Sequence, residues 1–455
     1  MELSCFKAYD IRGVLGETLD EAIAARIGRA FVETVGRGPI VVGHDARETS
    51  PGLATALSGG LMERGADVVD IGLCGTEEVY FATGHLGAAG GVMVTASHNP
   101  IEYNGMKLVG RGSRPLDPAT ELAALKALAE TDAYDASPAT GRLEKGDMRS
   151  AFADHVVGLA DPAAIGPVKI LANAGNGTAG AAFDAIADRL AAAGARLDIL
   201  RLHHDPDPTF PNGIPNPLVP ANRGQTADRV VAEGADMGIA WDGDFDRCFF
   251  FDETGAIVPG EIVVALLAEA ALKREPGAPI VHDPRVTGAI EATVAASGGI
   301  AMPTRTGHAY LKAKMRETGA PYGGEMSAHH YFRDFFYCDS GMIPWVRLLE
   351  ILSAREGTLS NLVADLRARF PSSGEINFRV SDAGATMERV VAVLTAENPT
   401  IDRLDGVSLD FGTWRMNLRA SNTEPLLRLN VETKGSAALL DEKVETLTAL
   451  IESHA

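Results

Sequence analysis

The sequence predicts an α/β protein built from three similar α/β domains, with mixed and largely parallel sheets, followed by one α+β domain. Three observations lead to this fold class. The chain of 455 residues is too long for a single core. Its first three quarters repeat the order strand, helix, strand three times, and its last part shows closely spaced strands instead.

The repeat begins at Pro39, Pro167 and Pro279. Each proline precedes an apolar run, then an Asp or Asn, a turn of small residues and a helical pattern. A Gly-Ala or Gly-Gly pair follows, and then a second apolar run. Strand, helix and strand at this spacing form a βαβ unit, whose two strands are parallel. The three copies therefore predict three domains with parallel strands covered by helices.

The C-terminal part predicts an antiparallel sheet packed by helices on one face. We expect strands at 375–380, 407–411, 414–419 and 426–431, and helices at 386–394 and 438–451. The turn-rich segment 131–147 is the expected first linker. The predicted domains are 1–150, 151–254, 255–367 and 368–455.

Composition and charge argue against several classes of function and location. A net charge of −20 argues against binding to nucleic acid, which needs a basic face, but leaves room for a compact site for a small anion. No apolar stretch approaches the roughly 20 residues that span a bilayer, and the N-terminus lacks a secretory signal pattern. The four scattered cysteines suggest a reduced, cytoplasmic setting. No obligate protein partner is evident from the sequence.

The segment "IAWDGDFDRCFFFD" carries the strongest local signal. Asp242, Asp244 and Asp246 alternate in a loop between two apolar runs that resemble strands. Carboxylates this close repel one another unless a cation neutralises them, and oxygen ligands select Mg²⁺, Ca²⁺ or Mn²⁺. An EF-hand loop is the main competitor, but Arg247 stands where that loop needs glycine. A solvated acidic turn is the plainer alternative.

A serine at the tip of an apparent buried strand is the second signal. Ser97 of "VTASHNP" could be a nucleophile or carry a phosphate, which would complete the shell of a cation held by the aspartates. The alternative is a capping serine in a turn.

Two further segments offer groups that recognise phosphate and sugar. Arginines, hydroxyls and an amide cluster in "RASNTEPLLR", which suits a phosphate monoester unless the polar groups only satisfy their own hairpin. In "GGEMSAHHYFRD", Glu325 and Ser327 could bind vicinal hydroxyls and His329 could exchange protons. Arg285 and His308, further upstream, are individually weak candidates.

Taken together, these segments resemble the α-D-phosphohexomutase superfamily over essentially the whole chain. In order, "TASHNP" is similar to the phosphoserine loop, "DGDFDR" to the metal loop, "GEMSAH" to the sugar loop and "RASNTEP" to the phosphate loop. The "EMS" motif and the N-terminal "CFKAYDIRG" are most like the bacterial phosphomannomutases of the phosphomannomutase/phosphoglucomutase group. The resemblance implies four domains in a heart shape around a central cleft.

The resemblance also implies a role for each candidate residue. Those implied in catalysis are Ser97, Arg12, His98, Lys107, Arg247 and His329. The implied Mg²⁺ ligands are Ser97, Asp242, Asp244 and Asp246. Those implied in substrate binding are Arg285, His308, Glu325, Ser327, Arg419, Ser421, Asn422, Thr423 and Arg428. Two positions depart from the usual pattern: Arg285, where the family often has Lys, and "LCGTEE" near Gly75, where "PTP" is more usual.

The implied activity is interconversion of mannose 6-phosphate and mannose 1-phosphate, through an enzyme phosphoserine and a hexose 1,6-bisphosphate intermediate, in the supply of GDP-mannose. Dual specificity for mannose and glucose phosphates is the first alternative. A phosphosugar phosphatase would use the same serine and metal but pass the phosphoryl group to water. A non-catalytic phosphosugar sensor is disfavoured, because binding alone has no use for a metal-linked serine.

Overall fold

The structure, a computed structural model, describes residues 2–135, 139–420 and 426–454. The chain forms two compact units, Met1–Ile257 with His329–Glu356, and Val258–Ala328 with Gly357–Ala455. Within the described ranges, no helix is both long and apolar enough to cross a membrane.

The first unit begins with a six-stranded mixed sheet. Its strands are β1 (Ile11–Val14), β2 (Ile40–His44), β3 (Val68–Leu73), β4 (Gly90–Val94), β5 (Tyr103–Gly110) and β6 (Leu143–Lys145), in the order β1-β5-β4-β2-β3-β6. Its helices are α1 (Glu21–Val35), α2 (Ser50–Glu63), α3 (Thr76–His85) and α4 (Ala123–Thr131). Strands β4, β2, β3 and β6 run parallel, whereas β5 is antiparallel to β1 and β4. Every residue of β4 is buried, so the chain that follows it starts from the interior of the sheet.

A four-stranded sheet follows in the same unit. Helix α5 (Arg149–Gly158) precedes β7 (Val168–Asn173), α6 (Ala179–Ala192), β8 (Leu197–Leu202), α7 (Gly224–Glu233), β9 (Met237–Trp241) and β10 (Cys248–Asp252). The strand order is β10-β9-β7-β8, with β7 parallel to both neighbours and β9 antiparallel to β10. The hairpin from β9 to β10 carries the acidic segment between two fully buried strands.

The second unit begins with the third repeat. Its elements are α8 (Gly260–Arg274), β11 (Pro279–His282), α9 (Gly288–Ala296), β12 (Ile300–Pro303), α10 (His308–Thr318) and β13 (Tyr322–Gly324), with β11 parallel to β12 and to β13. The chain then contributes β14 (His330–Phe332), β15 (Cys338–Asp339) and α11 (Met342–Ser353) to the first unit. It returns to the second unit at α12 (Leu359–Arg369).

The C-terminal sheet is antiparallel throughout and has the order β16-β20-β19-β18-β17. The strands are β16 (Ser372–Arg379), β17 (Thr400–Asp402), β18 (Val407–Asp410), β19 (Trp414–Ala420) and β20 (Leu426–Thr433), and the helices are α13 (Ala383–Leu394) and α14 (Ala437–Ser453). Alternate residues of β19 and β20, including Leu418 and Leu429, form the core. The residues between them give the opposite face a polar surface.

The three predicted βαβ units are confirmed, since each predicted strand pair is parallel. The prediction contains no counterpart of seven observed strands, namely β1, β5, β6, β13, β14, β15 and β17. β6 lies inside the segment expected to be a linker, and β17 precedes the predicted hairpins of the last domain.

Candidate active site

The serine loop, residues 95–100, leaves the buried end of β4 and turns back immediately. Ser97 adopts a left-handed backbone conformation with φ of 47° and is only 3% exposed. Its N–H donates to Thr95 Oγ1 at 2.8 Å, and the N–H of Asn99 donates to the carbonyl of Ala96 at 2.9 Å. A non-glycine residue in this region of backbone space is strained, and such strain persists where the surroundings enforce it.

Arg47 is the group that enforces this turn. The guanidinium is buried, and its Nη atoms donate to the carbonyls of Ser97 at 3.0 Å, Pro100 at 2.9 Å and Tyr103 at 3.1 Å. It also donates to the carbonyl of Asn99. Strands β2 and β4 are parallel neighbours, so the loops that follow them leave the same edge of the sheet. One side chain therefore fixes the conformation of the whole serine loop.

The acidic loop, residues 242–247, meets the serine loop directly. Ser97 Oγ donates a hydrogen bond to Asp242 Oδ2 at 2.8 Å, although the two residues are 145 positions apart in the chain. His98 Nδ1 lies 3.0 Å from the same serine oxygen. A Cβ on Gly243 would lie 2.7 Å from the carbonyl oxygen of Ser97, so only glycine allows the two loops to approach this closely.

Lys107 lies against the other two aspartates. Its Nζ donates to Asp244 Oδ2 at 2.7 Å and to Asp246 Oδ2. Burial alone would lower the pKa of Lys107, but the neighbouring carboxylates raise it, so the ammonium stays charged. Burial likewise raises the pKa of Asp242, assisted by repulsion from Asp246. The pKa of Asp246 falls well below its usual range because Lys107 and His329 outweigh its burial.

The acidic loop fits a divalent cation. One carboxylate oxygen from each of Asp242, Asp244 and Asp246 lies within 4.8 Å of the others. Asp244 Oδ1 and Asp246 Oδ1 are buried and accept no hydrogen bond from the residues that the structure describes. Buried carboxylate oxygens are costly unless a donor or a cation meets them, and an all-oxygen set suits a hard cation. The triplet could therefore hold a metal ion.

The remaining predicted residues of the first unit lie around these loops. Arg247 Nε donates to His329 Nε2 at 3.1 Å and lies 3.7 Å from Asp242 Oδ2. His329 Nε2 in turn lies 3.7 Å from Asp246 Oδ1. Arg12 contacts Asn99 of the serine loop and donates to Asp10 at 3.0 Å. Burial, followed by the charges of Arg247 and Arg12, lowers the pKa of His98 well below its usual value. The structure thus gathers all of these predicted residues in one place.

The second unit gathers three arginines. Arg285, Arg419 and Arg428, hereafter the arginine cluster, all contact Glu375 of β16 at distances of 3.4 to 3.5 Å. Burial would lower the pKa of Arg285, but Asp283, Glu325 and Glu375 raise it. Burial and the charge of Arg285 lower the pKa of Arg419.

The predicted sugar-binding residues lie beside Arg285. Its Nη2 is 3.9 Å from Glu325 Oε1 and donates to Ser327 Oγ at 3.4 Å. Glu325 Oε1 also accepts the N–H of Gly307, the residue before His308, which begins α10. The predicted phosphate-binding residues Ser421, Asn422 and Thr423 lie outside the described residues.

Sequence reasoning missed Thr76, which holds the acidic loop from the first residue of α3. Its hydroxyl donates to Asp244 Oδ2 at 2.6 Å and its N–H donates to the carbonyl of Asp244 at 3.1 Å. Its segment departs from the family pattern, so its sequence gave no positive signal.

Sequence reasoning also missed Arg47, although a signal for it was present. The sequence His44-Asp45-Ala46-Arg47 at the end of β2 repeats as His282-Asp283-Pro284-Arg285 at the end of β11. The local geometry repeats too: each arginine N–H donates to the aspartate two residues earlier, at 3.0 Å in both copies. Comparing the copies of the repeat could have identified Arg47.

Family models cover nearly the whole chain in four pieces. They are the phosphoglucomutase/phosphomannomutase α/β/α domain I at residues 4–135, domain II at 150–255, domain III at 259–370, and the C-terminal domain at 375–449. The four matches confirm the expected fold class of three α/β domains and a distinct C-terminal domain.

Individual relatives match over nearly their full length. The chain is 52% identical to a phosphomannomutase of Salmonella typhimurium strain LT2 over 452 residues, or 99% of each chain. It is 50% identical to a phosphomannomutase of Escherichia coli strain K12, again over 99% of each chain. A phosphoglucomutase/phosphomannomutase family protein of Burkholderia thailandensis has a solved structure with a TM-score of 0.88 and 32% identity, covering 100% of this chain and 98% of its own.

Proposed function

The chain belongs to the phosphoglucomutase/phosphomannomutase family of isomerases, and we propose that it interconverts mannose 6-phosphate and mannose 1-phosphate by way of a phosphoserine at Ser97. The observation that carries the proposal is the 2.8 Å hydrogen bond between Ser97 Oγ and Asp242 Oδ2. It joins the one strained serine of the loop to a buried cluster of carboxylates. Phosphosugars are accordingly the proposed partners, and a cytoplasmic location stays a prediction.

We propose Mg²⁺ as the cation, with Asp242, Asp244, Asp246 and the Ser97 oxygen as its ligands. When bound, Mg²⁺ would neutralise charge on the oxygens of the transferring phosphoryl group. Lys107 and Thr76 occupy Oδ2 of Asp244, which leaves Oδ1 of that residue for the metal. Lys107 likewise occupies Oδ2 of Asp246, so the chain's own donors leave Oδ1 of both residues for the metal.

Arginines and proton-transfer groups complete this half of the chemistry. Arg12 contacts the serine loop and Arg247 lies beside Asp242, the residue that binds Ser97, so their charge would stabilise the phosphoryl group in transfer. We propose Lys107 and His329 as the groups that exchange the substrate's hydroxyl proton. The neighbouring carboxylates raise the pKa of Lys107, so in this state it carries a proton that it can donate.

The second unit would hold the sugar and the phosphate that is not reacting. Glu325 and Ser327 carry oxygen atoms suited to vicinal hydroxyls, with Arg285 beside them, and His308 follows the glycine that binds Glu325. Arg419 and Arg428 would bind the phosphate, together with Ser421, Asn422 and Thr423. We assign these roles within the domain limits 1–150, 151–254, 255–367 and 368–455 proposed above.

The proposed reaction consists of two phosphoryl transfers. In the first, the phosphorus–oxygen bond of phosphoserine breaks, a bond forms to the free hydroxyl of the hexose monophosphate, and that hydroxyl loses its proton. The resulting 1,6-bisphosphate turns around. In the second transfer the phosphorus–oxygen bond of its other phosphate breaks, a bond forms to Ser97 Oγ, and the sugar oxygen takes up a proton to become the product hydroxyl. Bisphosphate is therefore both intermediate and activator in the proposal.

Substitution of Ser97 by alanine tests this role. We expect intact-protein mass spectrometry to find one phosphoryl group on the wild type after incubation with hexose 1,6-bisphosphate, and none on Ser97→Ala. Ser113→Ala is a matched control, because Ser113 is also buried and has a φ of 57°. Phosphorylated Ser97→Ala protein, or undiminished turnover, would refute the assignment.

Analysis of the reaction products distinguishes a mutase from a phosphatase. A mutase forms mannose 6-phosphate from mannose 1-phosphate and needs bisphosphate priming, whereas a phosphatase releases inorganic phosphate. Comparing kcat/KM for mannose 1-phosphate and glucose 1-phosphate measures how far the specificity extends to glucose.

A further inference from the structure

Glu375 lies on the same face of the C-terminal sheet as two members of the arginine cluster. Arg428 on β20 pairs with Asn377 on β16 and with Arg419 on β19. Directly paired residues share a face, and so do residues two positions apart along a strand. Glu375, Arg428 and Arg419 therefore project from one side of the sheet, opposite the apolar core.

The Glu375 carboxylate contacts all three arginines. Oε2 lies 3.4 Å from Arg285 Nη1 and 3.5 Å from Arg419 Nη2, and Oε1 lies 3.5 Å from Arg428 Nη1. A charge-assisted hydrogen bond to a carboxylate is ordinarily about 2.7 to 2.9 Å long. The carboxylate is thus shared among three cations without binding any of them tightly.

Other carboxylates also lie beside members of the cluster. Asp283 binds Arg285 at 2.7 Å within its own loop. Glu325 lies 3.9 Å from Arg285, and Asp405 lies 3.8 Å from Arg419. Glu375 contacts all three guanidinium groups, so a phosphate placed where they converge would meet its carboxylate.

We propose that Glu375 is an internal anion that occupies the phosphate position of the arginine cluster and exchanges with the phosphate of the substrate. This inference rests on the proposed function of the cluster. Carboxylate and phosphate present similar acceptor oxygens to guanidinium groups, but the phosphate carries more charge and one more oxygen. Buried Nε atoms of Arg285 and Arg419, which have no hydrogen-bond partner among the described residues, remain as additional donors.

The exchange gives Glu375 a role in turnover. The bisphosphate must release one phosphate and present the other, and in the interval three cations would face one another without a shared anion. Glu375 returns to the cluster during that interval, which lowers the barrier to release. It thereby weakens phosphate binding and accelerates the turnaround of the intermediate.

Glu375→Gln tests the exchange, because it keeps the shape of the side chain and removes its charge. We expect isothermal titration calorimetry to show inorganic phosphate and mannose 6-phosphate binding about 5- to 20-fold more tightly than to the wild type, after allowance for solvent screening of a partly exposed carboxylate. Both KM and kcat should fall. Glu445→Gln on α14 is the matched control, since it makes the same charge change at an exposed position and should bind phosphate as the wild type does.

Unchanged or weaker phosphate binding by Glu375→Gln would overturn the inference. If that variant does not fold, Glu375→Asp replaces it: the shorter carboxylate cannot contact all three arginines, so it should also bind phosphate more tightly than the wild type, and equal or weaker binding would overturn the inference. Arg419→Ala separates the two proposals. If it leaves mannose 6-phosphate binding unchanged, the proposed phosphate site and the role of Glu375 fall together. If it weakens binding while Glu375→Gln does not strengthen it, only the role of Glu375 falls.

Discussion

Replacement of Thr76 by valine should weaken metal binding without unfolding the protein. Valine matches threonine in shape, so the change removes the 2.6 Å hydrogen bond to Asp244 Oδ2 and little else. A hydrogen bond to a charged group contributes about 1.5 to 3 kcal/mol, which corresponds to about 10- to 150-fold in an equilibrium constant. Lys107 still donates to the same oxygen, at 2.7 Å, so we expect a loss near the lower end of this range. We therefore expect Mg²⁺ affinity to fall about 10- to 30-fold, within the range of losses seen when partners of metal ligands are removed.

The assay is calorimetric titration of Mg²⁺ into protein stripped with a chelator, with no substrate present. Thr76→Ser keeps the hydroxyl and should retain most of the affinity. Thr83→Val is the matched control, because Thr83 is buried on the same helix and donates instead to the carbonyl of Val79. Equal Mg²⁺ affinity for Thr76→Val and wild type, or an equal loss in Thr83→Val, would refute the positioning role.

Two further substitutions test how the serine and acidic loops are held. Arg47→Met should lower the free energy of unfolding by about 3 to 5 kcal/mol, because it leaves buried carbonyls of the serine loop without donors, and denaturant unfolding measures it. Gly243→Ala should reduce kcat more than about tenfold with a smaller effect on unfolding, because its Cβ would lie 2.7 Å from the Ser97 carbonyl oxygen and force the loops apart. Wild-type stability in the first or wild-type kcat in the second would contradict these expectations.

Two of the strands that sequence reasoning missed, β6 and β17, share one physical property. β6 (Leu143–Lys145) and β17 (Thr400–Asp402) are edge strands, and every residue in both is exposed. The sequence signal for a strand is its buried apolar face, and an exposed edge strand has none. Strands β4 and β9, by contrast, were predictable because every residue in them is buried, which gives each a continuous run without charged residues.

The residues of the candidate site also fall into two groups, those that the sequence could predict and those that it could not. Ser97 and the aspartates were predictable because each stands within a short motif whose composition suggests chemistry. Thr76 and Glu375 were not, because a single threonine or glutamate has no distinctive pattern. Their roles arise only when the start of α3 meets the acidic loop, and when β16 aligns with β20. Such contacts depend on tertiary structure, which local spacing does not encode.

The repeated His-Asp-x-Arg segment shows where a local pattern ceases to determine function. Arg47 and Arg285 sit in matching turns, each with its N–H bound to the preceding aspartate. Arg47 gives its guanidinium donors to backbone carbonyls, which are covalently part of the loop and cannot be replaced by a ligand. Arg285 instead faces carboxylate side chains, and one of them, Glu375, is shared with two other arginines. Side-chain anions can exchange with a phosphate, whereas carbonyls of a packed turn cannot. The same turn therefore yields a fixed support for the serine loop in one domain and, as we propose, an exchangeable anion site in another.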